Sequence, residues 1–326
     1  MTAREQRGEF AIIADYFAPL TQGDPLAFAL TDDAAVLHPE PGMDVVVTAD
    51  ALVAGVHFFV DDTPEDIARK LLRVNLSDLA AKGAEPLSYI LTCAWPRGLE
   101  LAWIERFAQG LAQDQQEFGI HLIGGDSVAT DGPLTLSLTA FGQVPQGSMI
   151  QRAGAMPGDM VCVSGTIGDG AAGLRLARGE SPDISGTDRE FLLARYRCPQ
   201  PRLALGRALR GRAHACADVS DGLLADAGHV GEASGVRLAI DAAAVPVSDA
   251  AIKTGLERTA LLTGGDDYEL LFTLGADQGN SLSALSQEAR VALTLIGRVE
   301  SGPSGASLLD EQGREIEIAE KGYRHF

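Results

Sequence analysis

The sequence is poor in cysteine and aromatic residues, and it contains no long hydrophobic run. Its four cysteines, Cys93, Cys162, Cys198 and Cys216, are widely separated and form no C-x-x-C pair. This spacing argues against zinc and against a disulfide framework, and it predicts a reducing cytoplasm. No apolar run approaches the roughly 18 residues that span a bilayer. The N-terminus, "MTAREQRGEFAII", has no signal-peptide pattern. We therefore expect a soluble, cytoplasmic protein with no membrane segment.

Basic residues are also scarce. The chain has 26 Lys and Arg against 45 Asp and Glu, which gives a formal net charge of -19. Nucleic-acid binding is disfavoured, because phosphate backbones are bound by clustered Lys and Arg. Small phosphorylated ligands remain compatible with this charge if divalent cations lie between carboxylate and phosphate.

The order of predicted elements indicates a mixed α/β protein with two domains. A length of 326 residues suits two domains, and strands alternate with helices in both halves. "TPEDIARKLLRVNLSDLAAKGA" carries helix-start signals at Thr63 and Pro64 and a stop at Gly83. Proline and glycine cluster in "VPQGSMIQRAGAMPGD", so we predict domains at 1–147 and 148–326.

One glycine motif is ambiguous. Residues Gly168 to Gly173 match G-x-G-x-x-G after a predicted strand, as in dinucleotide-binding folds. The required second strand with an acidic end is missing, since "ESPDISGTD" occupies that distance. We favour a tight strand-to-helix turn, and a phosphate contact by its backbone amides stays open.

Aspartate recurs among small residues beside apolar segments. Examples are "LTDDAAVL", "VVTADAL", "NLSDLAA", "LIGGDS" and "ADVSDGL". Any one aspartate could cap a helix or end a strand, and "IHLIGGD" is predicted to be a strand ending at Asp126. Asp78 differs, because it lies within a predicted helix. Converging carboxylates repel each other unless cations are bound, and Mg2+ suits a few carboxylates completed by phosphate and water oxygens.

These segments resemble the thiamine-monophosphate kinase family. "GEFAIIADYF", "TDDAAVL", "ADALVAGVHF", "VNLSDLAAKGAEP", "LIGGDS", "QRAGAMPGD", "DVSDGL", "GGDDYEL" and "KGYRHF" occur in the family's order, from residue 8 to the last residue. Some segments are shared with the wider aminoimidazole-ribonucleotide synthetase superfamily. "LVAGVHF", "GGDDYEL" and the final "HF" favour the thiamine enzyme.

The resemblance implies a function, an architecture and a set of site residues. It implies ATP- and Mg2+-dependent phosphorylation of thiamine monophosphate to thiamine diphosphate. It also implies a homodimer in which the N-terminal domains pair their sheets across the dimer, and a C-terminal α/β domain. The positions that match metal ligands in the family are Asp33, Thr48, Ala49, Asp50, Asp78, Asp126, Asp218 and Asp221. Those that match nucleotide contacts are Gly125, Asp126, Arg152 and Ser220, and those that match substrate contacts are His57, Asp266 and Tyr323. The resemblance implies catalytic roles for Asp126, Arg152 and Asp218.

Three positions depart from the family pattern. Ala29, Leu30 and Thr31 stand where the family has glycines before its first aspartate pair. Ala49 replaces a hydroxyl residue, so a backbone carbonyl or water must serve as the ligand there. Asp266 replaces a glutamate and is one methylene shorter, which weakens the prediction of a direct substrate contact.

The predicted chemistry needs no general base. A phosphate acceptor is largely dianionic at neutral pH, because its second pKa is about 6. The task is to bring two polyanions together, for which metal ions and an arginine are suited. Two alternatives remain at this stage: a related ATP-driven synthetase or dehydratase, and a non-catalytic nucleotide-binding module.

Overall fold

The computed structural model describes residues 9–323. The predicted family terminus at Phe326 therefore lies outside the described residues. The chain divides into two compact units. The first comprises residues 1–79 and 85–147, and the second comprises 80–84 and 148–326. Among the described residues, no helix is long and apolar enough to cross a membrane.

The first unit is built from helices and one four-stranded sheet with the order β1-β4-β2-β3. β2 pairs antiparallel with β4 and parallel with β3, and β1 pairs antiparallel with β4. A short helix α1 is followed by π- and 3-10 turns up to residue 30. The elements are α1 Glu9–Ile12, β1 Met43–Val53, α2 Pro64–Ala81, β2 Glu85–Pro96, α3 Leu101–Phe118, β3 His121–Thr130 and β4 Thr135–Pro145.

Both long helices of this unit cover one face of the sheet. Tyr89 of β2 and Thr48 of β1 share a row through Ala140 of β4, so they lie on the same face. The Tyr89 hydroxyl accepts a hydrogen bond from Gln115 of α3, and the Thr48 hydroxyl donates to Asp78 of α2. Side chains alternate between faces along a strand, so the opposite face of β1 carries Val45 and Val47, both exposed.

The start and the stop predicted for α2 are confirmed. The Thr63 hydroxyl accepts a hydrogen bond from the Asp66 amide at 3.2 Å, which satisfies one of the free amides at the start of the helix. Gly83, with a φ of 67°, follows the last turn. Only glycine adopts this left-handed backbone without cost, so the chain turns there into β2.

The second unit contains a six-stranded sheet with the order β10-β7-β9-β5-β8-β6. One buried cluster that includes Val161, Ala217 and Leu224 packs along it, and a second includes Cys162, Leu205 and Phe272. The elements are β5 Met160–Ser164, α4 Asp169–Ala177, α5 Gly186–Arg197, α6 Leu203–Leu209, β6 Ala213–Asp218, α7 Leu223–Ser234, β7 Arg237–Asp241, α8 Asp249–Lys253, α9 Arg258–Thr263, β8 Leu270–Leu274, α10 Leu282–Ala289, β9 Leu293–Glu300 and β10 Gly305–Leu309.

The structure corrects several element boundaries. β3 does not end at Asp126, because it continues to Thr130. A Cβ at Gly125 would lie 1.9 Å from the Leu91 carbonyl oxygen, so this glycine allows β2 and β3 to approach instead of ending the strand. β8 begins at Leu270, three residues later than the strand that the run "DYELLFTL" predicts from Asp267. The short elements α8, α9 and β10 carry weak periodicity and were not predicted.

Candidate active site

In the first unit, two aspartates and a threonine come together where β1 meets α2. Asp78 accepts a hydrogen bond from the Thr48 hydroxyl. Burial, together with the smaller effect of the negative charge of Asp78, raises the pKa of Asp50 to about 6. The placement of Asp78 inside a helix is thereby explained, since its carboxylate faces the edge strand of the sheet. This arrangement concentrates negative charge at one point of the unit.

These oxygens suit Mg2+ better than a metal ion that takes all of its ligands from the protein. Mg2+ takes one or two carboxylates and keeps its other positions for water and phosphate. No group of three or more His, Cys, Asp or Glu side chains placed to hold a metal occurs among residues 9–323. Two neighbouring carboxylates with a hydroxyl match the smaller requirement of Mg2+, and a bound cation would relieve their mutual repulsion.

Asp126 is not brought to this group within the chain. Asp50 pairs with Leu138, Leu138 pairs with Leu91, and Leu91 pairs with Gly125, so one row crosses the whole sheet. Asp50 and Gly125 therefore lie on opposite edges. Asp126 occupies the next row, and the alternation of side chains puts it on the opposite face from Asp50.

The other predicted residues of the first unit lie in loops or on the edge strand. Asp33 is exposed, and its amide donates to Asp32 at 2.8 Å. Ala49 lies on β1 and offers only backbone groups. His57 follows a turn at Gly55, and its Nδ1 accepts a hydrogen bond from the Val53 amide at 3.0 Å. A neutral His57 consequently carries its proton on Nε2. His57 is partly exposed, unlike a core histidine.

In the second unit, the turn between β6 and α7 carries three of the predicted residues. Asp218 ends β6, and Ser220 and Asp221 form the turn before the helix. Their arrangement is controlled by Asp226, a buried residue in the first turns of α7. One oxygen of Asp226 accepts hydrogen bonds from the amides of Ser220, Asp221 and Gly222 at 3.0, 3.1 and 3.2 Å.

Several charged groups around this turn act on the carboxyl group of Asp226. Burial raises the pKa of Asp226 well above its usual range, and the charges of Asp218 and Asp221 raise it further. The positive charge of Arg152 acts in the opposite direction. Arg152 is exposed, on the loop before β5. The structure thus brings Arg152, Asp218 and Asp221 within electrostatic reach of Asp226.

The same turn is bonded to both predicted substrate-binding residues of the second unit. The Asp266 amide donates to the Ser220 carbonyl oxygen at 2.9 Å, and the Tyr323 amide donates to the Asp221 carbonyl oxygen at 2.9 Å. Asp266 has a φ of 70°, an uncommon backbone conformation for a residue other than glycine. Tyr323 is half-exposed and lines a cavity of about 400 Å³ beside α7.

The glycine motif at Gly168 is a structural turn. Its amides are already used: those of Gly168 and Gly170 donate to the buried Asp267 carboxyl at 2.7 and 2.9 Å. A Cβ at Gly173 would lie 2.1 Å from the Leu192 carbonyl oxygen, so this glycine permits close packing of α4 and α5. Asp267 therefore caps the start of α4, a helix that is distant from it in the sequence.

A buried ion-pair network holds the strand that follows. Glu269, which is fully buried, pairs with Arg195 at 2.9 Å and with Arg202, and it accepts a hydrogen bond from the Ser164 hydroxyl at 2.5 Å. A buried charge requires such ion-pair and hydrogen-bond partners. The segment from Asp266 to Glu269 is thus fixed at Asp267 and at Glu269.

Sequence reasoning did not single out Asp226 or assign a partner to Asp267. A signal for Asp226 was present in "DVSDGLLAD", where an aspartate stands four residues after Gly222, the residue that precedes a helix-forming run. A side chain there can reach back to free amides before the helix, as in a capping box. No local signal exists for Asp267, since its partners are about a hundred residues away in the sequence.

Comparison with known proteins agrees with this architecture. Residues 31–144 match the family model described as AIR synthase related protein, N-terminal domain, and residues 156–310 match its C-terminal domain. The thiamine-monophosphate kinase of Caulobacter vibrioides is 46% identical over 325 residues, covering 97% of this chain and 90% of that protein.

Solved structures give the same result. A crystal structure of thiamine-monophosphate kinase from Stenotrophomonas maltophilia has a TM-score of 0.79 and 42% identity, covering 88% of this chain and 90% of the other. A structure of AaThiL complexed with AMPPCP and TMP has a TM-score of 0.78 and 30% identity, covering 98% and 97%.

The two domain matches define the class of protein, that of the AIR synthase related proteins. Within that class, the chain belongs to the thiamine-monophosphate kinase family, whose members match it along almost its whole length. The predictions of this family, of a mixed α/β fold and of a kinase are confirmed.

Proposed function

We propose that the protein transfers the γ-phosphoryl group of ATP directly to thiamine monophosphate, which yields thiamine diphosphate, the last step of its biosynthesis, in the cytoplasm. The observation that carries the proposal is the Asp50 and Asp78 pair, in which burial and like charge raise the pKa of Asp50 to about 6. Two neighbouring carboxylates of this kind do not stabilise the folded chain. It becomes useful when a cation and phosphate oxygens complete it.

The acceptor phosphate is already nucleophilic at neutral pH, so the residues need only bind, orient and neutralise charge. Thr48, Ala49, Asp50 and Asp78 in the first unit, with Asp33 and Asp126, would hold Mg2+, as would Asp218 and Asp221 in the second. Bound Mg2+ would offset the repulsion between the two phosphate groups. Arg152 and Asp218 act beside the transferred group, and Gly125 and Ser220 contact the nucleotide. Residues 1–147 thus bind metal and ATP, and residues 148–326 contribute phosphate and substrate contacts.

The thiamine end of the substrate is assigned to His57, Asp266 and Tyr323. Nε2 of a neutral His57 would donate a hydrogen bond, because Nδ1 is occupied by the Val53 amide. Asp266, which is shorter than the family glutamate, has a left-handed backbone. Contacts of the chain on both sides of Asp266 fix its position. Tyr323 offers an aromatic face for stacking.

We also infer a homodimer that closes the sheet of the first unit. β1 and β3 are both edge strands, and unpaired edges favour pairing with another chain. The uncovered face exposes Val47 and Val128, which a second copy would bury. If β1 pairs with the partner's β3, the two sheets form a closed barrel. The partner subunit's strand that carries Asp126 would then lie next to the strand that carries Asp50, so that each active site would be built from both chains.

The experiment that tests the function incubates the purified protein with ATP, Mg2+ and thiamine monophosphate, and separates ADP and thiamine diphosphate by chromatography. We expect both products in equal amounts. Absence of thiamine diphosphate, with ADP formed only on an amide-bearing substrate, would refute the kinase assignment. Asp126→Asn should remove most of the activity and leave the circular dichroism spectrum unchanged, whereas near-normal turnover would exclude a metal role for Asp126.

A further inference from the structure

Asp226 performs an unusual task in the second unit. It is only 3% exposed, and it lies four residues into the run that follows the N-cap Gly222 of α7. A single oxygen of its carboxyl group receives three consecutive backbone amides, from Ser220, Asp221 and Gly222. A buried carboxyl group is costly unless hydrogen-bonded, so these bonds explain how it is tolerated. Asp226 itself is too buried to contact a ligand.

The three amides of the turn point inward to Asp226. Carbonyl groups of the turn therefore remain available to accept hydrogen bonds from other segments. The Ser220 carbonyl oxygen accepts the amide of Asp266, and the Asp221 carbonyl oxygen accepts the amide of Tyr323, both at 2.9 Å. A Cβ at Gly265 would lie 2.4 Å from the Ser220 carbonyl oxygen, and one at Gly322 would lie 2.7 Å from that of Asp221. Two segments distant in sequence are therefore seated closely on the same turn.

We propose that Asp226 is a positioning residue that sets the geometry of four proposed site residues at once. It holds the nucleotide contact Ser220 and the metal ligand Asp221 directly, and it holds the substrate contacts Asp266 and Tyr323 through the turn. The inference rests on the proposed function for the identity of the ligands. It adds that nucleotide and thiamine monophosphate binding depend on one buried side chain that touches neither. Loss of Asp226 should therefore weaken the binding of both ligands together.

The test compares Asp226→Asn, Asp226→Ala and a matched control, Asp310→Asn. Asp310 also accepts two backbone amides, from Gln312 and Arg314, both at 2.9 Å, but its turn follows β10 and carries none of the proposed site residues. Two quantities are measured: the Kd for a non-hydrolysable ATP analogue with Mg2+, by calorimetry, and the KM for thiamine monophosphate. Thermal unfolding is followed for every variant.

Asparagine retains one carbonyl acceptor for the turn, whereas alanine retains none. We expect Asp226→Asn to raise both the Kd and the KM by about 10-fold, and Asp226→Ala by about 100-fold, as is typical for residues that orient site groups. Asp310→Asn should leave both constants within twofold of the wild-type values. The Asn variant is nearly isosteric, so its unfolding midpoint should stay close to that of the control.

A variant that unfolds at lower temperature with unchanged Kd and KM would overturn the proposal, since Asp226 would then only stabilise the fold. A change in the KM alone, with the Kd unaffected, would also overturn it, because the turn would not control the nucleotide side. If the wild type makes no thiamine diphosphate, the proposed function fails. The Kd for the ATP analogue would still decide the role of Asp226.

Discussion

In the proposed homodimer, Asp50 and Asp126 of the same active site come from different chains. The row from Asp50 through Leu138 and Leu91 to Gly125 spans four adjacent strands. Three inter-strand steps correspond to about 14 Å. Two oxygens bound to one Mg2+ lie at most about 4 Å apart. Asp50 and Asp126 of one chain are therefore too far apart to share an ion. In the proposed homodimer, the active site that contains Asp50 would draw its Asp126 from the partner subunit.

The experiment combines, in one dimer, a chain that carries Asp50→Asn and a chain that carries Asp126→Asn. Each variant alone forms a homodimer in which both sites are defective. In the heterodimer one site carries both substitutions, and the other carries neither. Co-expression with two affinity tags and tandem purification isolates this heterodimer. We expect it to have about half of the wild-type activity per dimer, since one of its two equivalent sites is intact.

A matched control uses Asp50→Asn with Asp78→Asn. These two residues belong to one chain's cluster, because the charge of Asp78 acts directly on Asp50. Every site of that heterodimer carries one substitution, so no activity should return. If the Asp50→Asn and Asp126→Asn heterodimer is as inactive as this control, the site is not shared between chains, and the proposed closure of the sheet is wrong.

Two further predictions concern stability. Ala29 has a φ of 52°, and such a left-handed backbone costs about 1–2 kcal/mol for a residue with a Cβ. Ala29→Gly removes this cost, but glycine also makes the unfolded chain more flexible, which offsets part of the gain. We therefore expect Ala29→Gly to raise the free energy of unfolding by roughly 0.5–1 kcal/mol. The exposed helix residue Ala102 is the control, since Ala102→Gly should lower that free energy by about 1 kcal/mol; equal losses in both variants would contradict the argument. Burial raises the pKa of Asp267 from 3.8 to about 8. The folded state then binds the proton more tightly than the unfolded state, so stability falls as the pH rises from about 4 to about 8. Asp267→Asn keeps a carbonyl acceptor for Gly168 and Gly170 and should flatten the decline in melting temperature between those pH values, and an unchanged slope would show that other groups cause it.

The regular elements were accessible from sequence because their signals are local. The α2 helix starts at Pro64 behind the cap Thr63, and its apolar periodicity continues to a glycine stop. The end of β3 was mispredicted for a physical reason. Glycine and aspartate disfavour strands on average, but Gly125 is needed for close contact with Leu91, so pairing with β2 overrides the local preference.

Contacts over long sequence distances explain the rest. The family resemblance identifies Asp50 and Asp126 together, but the sequence contains nothing that tells the reader that they lie on opposite edges of one sheet. That fact depends on strand order, which is set by how four strands pack as a group. The same holds for Asp267, whose amide partners at Gly168 and Gly170 become neighbours only when α4 packs against the segment before β8.

The structure also separates two kinds of aspartate that the sequence presents alike. Asp226 and Asp267 are surrounded by backbone amides, which satisfy the carboxyl group inside the protein and leave no need for a cation. Asp50 instead lies near a second carboxylate, that of Asp78, whose negative charge contributes to its raised pKa. Like charge makes ionisation of such a pair costly, and a bound divalent cation would lower that cost. The partner of each carboxylate, and not its surrounding sequence, decides whether it serves the fold or the ligand.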